Sequence, residues 1–161
     1  MVYQKHMLAG TGIGLRQPHV EHFIHGTPPI GWLEVHSENY LQENSKRRHQ
    51  LRHIRNDYAV SCHGIGLSLG SSDPLNLNHL KSLKSLFDDI QPSLISEHLS
   101  WSSLNGRFYN DLLPLPYTDE SLHHMVSQVN QTQESLGREI LIENPSSYLA
   151  FNHADMSEPE L

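Results

Sequence analysis

Three side chains in this sequence could share one metal ion. His63 closes the apolar run at 58–62 (YAVSC), His98 closes 93–97 (SLISE), and Glu143 closes 139–142 (EILI). Each run is short, apolar and rich in β-branched residues, and each gives way abruptly to polar residues and turn formers. That pattern reads as a buried strand ending at a polar rim. Adjacent parallel strands lie about 4.8 Å apart, so side chains from three neighbouring strand ends can converge on one point. Two imidazoles and a carboxylate form a mixed nitrogen and oxygen donor set suited to iron, zinc or manganese.

A second polar set stands at an earlier strand. In 31–39 (GWLEVHSEN), strand alternation turns Glu34 and His36 to one side, while Glu38 and Asn39 fall in the following loop. The four either face a substrate or hydrogen-bond locally. Glu97 points to the opposite side of its strand from His98, which suits a structural or ligand-orienting role. Arg16, at the end of the first strand, either binds an anionic group or makes a buried ion pair with Glu34 or Glu97. Asn110, Asp111 and Asn144 either orient a metal-bound side chain or cap a turn. Cys62 points away from its neighbour His63 and reads as a buried, inert thiol. The run 66–70 (GLSLG) fits the G-x-S-x-G pattern of a nucleophilic serine, but a loop at 71–74 follows it where that motif needs a helix.

The elements that position these groups alternate. Strands are expected at 8–16, 31–36, 58–63, 93–98 and 139–143. Between them come a short helical turn at 19–25, a polar loop at 37–40, an exposed helix at 45–56, an amphipathic helix at 75–90 with its stripe at Leu80, Leu83, Leu86, Phe87 and Ile90, an irregular loop at 101–116 turning at Asn105-Gly106, and a helix from Thr118 to Leu136 stopped by Gly137. Residues 144–148 read as a loop, and 155–161 as the opening of a further helix. Strands alternating with helices imply a parallel α/β sheet covered on both faces, with its site at the carboxyl ends of the strands. No G-x-G-x-x-G opens a helix and no P-loop is present. The leading architecture is therefore a (β/α) barrel.

Composition narrows the partners. A formal charge of −7 argues against a nucleic-acid surface, and the one basic cluster, Lys46-Arg47-Arg48, reads as a solvated helix face. The chain has a single cysteine, which fits a reducing cytoplasm. Residues 1–15 lack a sustained apolar core, and no run reaches membrane-spanning length.

Six ordered strings, GIGLR (12–16), LEVHSENY (33–40), HGIGLSLGS (63–71), SEHLSW (96–101), NDLLPLPY (110–117) and IENPSSYL (142–149), resemble the multinuclear non-haem iron oxidases. The characterised members of that family, the methanobactin-maturing oxidase among them, modify cysteines in ribosomally made peptides. The resemblance implies a xylose-isomerase-like TIM barrel holding two or three iron ions at its C-terminal face. His63, His98 and Glu143 would be ligands, with Glu143 bridging two irons. It also implies a peptide substrate and a partner protein that presents it. A complete (β/α)8 barrel takes about 250 residues and eight strands, whereas the pattern here yields five. Residues 1–161 are thus expected to be the N-terminal portion of a single TIM-barrel domain, an incomplete barrel of about five β/α units truncated after the fifth strand. Its edge strands should expose unpaired backbone and apolar side chains. Two other readings stand beside the oxidase: a non-catalytic remnant of such a barrel, and a zinc or isomerase-type metal-dependent barrel.

Overall fold

The structure, a computed structural model, describes residues 8–146, 151–157 and 160. Parts of the N-terminal reading (1–7) and of the loop and final helix expected at 144–148 and 155–161 lie outside the described residues. Residues 155–157 are not helical, and Glu160, whose amide donates to the Ser157 carbonyl at 2.9 Å, lies in a single 3-10 turn. The chain divides into two compact units, one running up to Ile65 and including Lys81–Ser96, the other made of Gly66–Leu80 and the residues from Glu97 on.

In the first unit, β1 (Gly12–Gly14), β2 (Trp32–His36), β3 (Ala59–His63) and the start of β4 (Leu94–His98) pair in parallel, with α1 (Val20–His25) and α2 (Lys46–Arg55) between them. Single-turn helices at Gln17–His19 and Ser37–Tyr40 follow β1 and β2. Strand β1 is far shorter than the 8–16 expected from sequence. A Cβ at Gly12 would overlap the Trp32 indole of the neighbouring strand, so the glycine there serves a close approach.

The register aligns Gly14, Glu34 and Ser61, and then His36, His63 and Ser96. Two faces result. Leu33, Val35, Val60, Cys62 and Ile95 are buried on one. The alternate positions, Glu34, His36, Ser61, His63 and Ser96, form a polar file on the other.

Of the basic cluster on α2, Lys46 and Arg47 are exposed as expected, whereas Arg48 is buried, as is Arg55 further along the helix. Arg48 and Arg55 are 1% and 2% exposed. Arg48 donates from Nε to Asp89 at 2.7 Å and from Nη2 to the Ser85 carbonyl at 2.6 Å. Arg55 donates to the carbonyls of Tyr58, Ile90 and Gln91. Leu51 and Ile54 are buried as well.

Helix α3 (Leu77–Ile90) begins where Asn76 Oδ1 accepts from the amides of Asn78 and His79, and its stripe from Leu80 to Ile90 is buried as its spacing predicts. In the second unit, α4 (Asp119–Leu136) starts at Thr118, whose Oγ1 accepts from Ser121 N, and ends at Gly137 in a left-handed conformation. It buries Met125, Gln128, Thr132 and Leu136, four residues on one face.

The loop expected at 101–116 is instead an antiparallel hairpin of β5 (Trp101–Leu104) and β6 (Arg107–Leu113). Its two-residue turn has φ 52° at Asn105 and 69° at Gly106, the positive pair that a tight hairpin needs. Strand β7 (Leu141–Glu143) completes a five-stranded sheet in the order β1-β2-β3-β4-β7. This is the parallel α/β layout of a partial TIM-like barrel, and among the described residues the sheet does not close on itself. As expected of edge strands, Ile13 on β1 and Leu141 on β7 are exposed.

Candidate metal centre

His98 ends β4 with its side chain buried, and Glu143 ends β7 with its side chain 57% exposed. The amide of Leu99 donates to the Glu143 carbonyl at 2.8 Å, tying the two strand ends together. His98 Nε2 then stands 4.0 Å from Glu143 Oε2. That spacing leaves an imidazole nitrogen and a carboxylate oxygen facing a common point. The pair is a mixed nitrogen and oxygen donor set of the kind that can hold a metal ion.

His63 ends β3 and is 7% exposed. Its Nδ1 lies 2.7 Å from Ser96 Oγ on β4. The ring of His36, its register partner on β2, meets it edge to face with centroids 5.8 Å apart. His63 is therefore flanked by one contact from each neighbouring strand. Sequence reasoning passed over Ser96. The signal was available, since Ser96 precedes His98 by two residues and so shares its face of β4.

The other expected site residues separate into distinct settings. Glu34 and His36 share the polar face of β2, as alternation requires, and His36 Nδ1 is buried with no hydrogen-bond partner among the described residues. Glu38 Oε1 accepts from the Ile65 amide at 3.1 Å, which ties the turn after β2 to the turn after β3. Asn39 is exposed. Glu97 is 3% exposed and lies on the opposite side of β4 from Ser96, as expected. Arg16 is exposed, so the buried ion pair offered for it does not form. Asn110 and Asp111 are exposed on β6, where Asp111 Oδ1 accepts from the next residue's amide, and Asn144 is exposed after β7.

Cys62 is fully buried. Ser68 is not set as a nucleophile: its Oγ accepts from the amides of Ser102 and Ser103 at 2.8 and 3.0 Å, anchoring β5. Tyr40, at the end of the turn after β2, has its hydroxyl pushed up by burial, against a smaller opposing effect of the Arg47 charge.

Among the described residues no helix is long and apolar enough to cross a membrane. Curated relatives share the sequence closely. A UPF0276 protein of Vibrio vulnificus (strain YJ016) is 56% identical over 147 residues, covering 91% of this chain and 50% of the relative. One from Psychromonas ingrahamii is 54% identical over 157 residues, covering 97% and 55%. One from Acaryochloris marina is 49% identical over 151 residues, covering 94% and 54%. The chain thus spans about half the length of the curated relatives it matches. The family model described as RiPP precursor modification enzyme MbnB/TglH/ChrH, where RiPP denotes a ribosomally made and then modified peptide, matches residues 10–161. On the extent of that match, the chain belongs to this family of peptide-modifying enzymes.

Proposed function

We propose that this chain supplies the N-terminal part of a metal-dependent barrel enzyme that oxidises cysteine residues of a ribosomally made peptide, with His63, His98 and Glu143 holding iron. The observation that carries the reading is the His98–Glu143 pair at neighbouring strand ends, 4.0 Å apart. His63, at the end of β3, is the third ligand of this reading. It sits opposite Ser96 and touches that side chain, and Ser96 shares its face of β4 with His98. His98 is buried while Glu143 is more than half exposed, so a cation held by the pair would be open to solvent on the carboxylate side. Iron, when bound, supplies the activation of dioxygen that thiol oxidation requires.

The chain's own residues have separable tasks. The two histidines present ring nitrogens, and Glu143 brings a carboxylate from the more open side, where a peptide thiol can approach. The family resemblance adds a partner protein that presents the peptide, and the single-cysteine composition fits a cytoplasmic enzyme.

The test is metal analysis of the complete protein after anaerobic purification, paired with mass spectrometry of a cysteine-containing peptide incubated with enzyme, presenting partner and dioxygen. Retained iron and an oxidised peptide are expected, with His98→Ala and Glu143→Ala each losing most of the metal. A wild-type protein that retains no iron would overturn the proposal. Zinc retention with sugar conversion would instead favour the isomerase-type reading.

A further inference from the structure

The geometry points to Ser96 as a positioning residue that sets the tautomer of His63, with His36 fixing the rotation of the same ring. This inference rests on the metal reading above and deepens it. The register line His36, His63 and Ser96 runs across three adjacent strands, so the two outer residues are the lateral neighbours of the middle one. On one side, Ser96 Oγ is 2.7 Å from His63 Nδ1, a short hydrogen bond between groups held by parallel backbone. On the other, the His36 ring packs edge to face against His63, with planes 74° apart.

A neutral imidazole carries its proton on one nitrogen only, and the hydrogen bond made by one nitrogen decides which of them faces a metal. With Nδ1–H donating to the Ser96 hydroxyl, Nε2 is the nitrogen presented as a ligand. The hydroxyl could equally donate to Nδ1, which would put the proton on Nε2 and spoil it as a ligand. The inference therefore commits to one direction of this bond. Two contacts from opposite sides also stop the ring from rotating about its χ angles, which keeps the ligand preorganised. His36 makes this ring contact while its own Nδ1 is buried with no hydrogen-bond partner among the described residues.

Two measurements test this on the complete protein. Long-range nitrogen-15 correlation spectra of the metal-free wild type should show His63 as the Nδ1–H tautomer, and Ser96→Ala should shift it toward Nε2–H. An Nε2–H wild type would overturn the inference whether or not metal binds. Anaerobic iron(II) titration against a competing chelator is the second arm. Ser96→Ala should weaken iron about 10–100-fold while the metal-free protein still melts cooperatively, and Ser96→Thr should restore most of it. His36→Phe, which keeps an edge-to-face ring, should cost less affinity than His36→Ala. Equal affinity in wild type and Ser96→Ala would refute the positioning role. Absence of iron binding in the wild type would instead sink the metal reading itself.

Discussion

At Arg55 a guanidinium 2% exposed to water donates to the carbonyls of Tyr58, Ile90 and Gln91, at 3.3, 3.1 and 3.0 Å. Ile90 is the last residue of α3, so the side chain satisfies carbonyls that its helix end leaves without intrahelical partners. Removing it strands buried acceptors. Arg55→Ala is expected to destabilise the fold by about 2–4 kcal/mol in chemical denaturation, whereas Arg47→Ala on the same helix should change stability by less than about 0.5 kcal/mol. Little of this was legible in the sequence. A run of basic residues on a helix with two apolar positions reads as solvated, and Asp89 and the carbonyls of Ser85, Ile90 and Gln91 that pair with Arg48 and Arg55 lie about one helix and one strand further along the chain. His63, His98 and Glu143 were legible for the opposite reason. Their signal is local, an apolar run stopped by a ligand-type residue, and it recurs.

Among the elements, the helices followed their sequence signals closely. Thr118 caps α4 and Gly137 at φ 69° ends it, both where side-chain chemistry and backbone freedom place them. Thr118→Ala should cost about 1 kcal/mol, read as a lower melting temperature. The hairpin at β5 and β6 was missed because residues 107–111 are all exposed, so β6 carries no alternation of apolar and polar residues to read. Its turn was seen, but the pairing depends on Ser68 and Asp73. Ser68 anchors β5 from outside, and the Asp73 carboxylate accepts from the turn amides of Asn105 and Gly106. Gly106→Val forces a β-branched residue into a left-handed conformation at a cost of about 1–2 kcal/mol. Hydrogen exchange should accelerate across residues 101–113, while protection in β2 and β3 stays as in the wild type.

At the scale of the whole molecule, the parallel sheet and the helices between its strands were legible because short apolar runs that end in polar residues alternate with helical patterns. The length of β1 was not, since its two glycines carry no side chains whose pattern could mark where the strand begins and ends. Stability should also carry a mark of Tyr40. Burial raises its hydroxyl above the ordinary value of 10.0, so near that pH the unfolded chain loses a proton that the folded one keeps. The folded state then binds more protons, and stability falls as pH rises through and beyond 10. Tyr40→Phe should flatten that decline in a series of melts. The most direct measurement of the central claim is the iron content of the complete protein and of its His63→Ala, His98→Ala and Glu143→Gln variants after anaerobic purification. The account predicts iron in the wild type and its loss in each variant, with circular dichroism unchanged. Variants that keep wild-type iron, or a wild type that binds none, would contradict it.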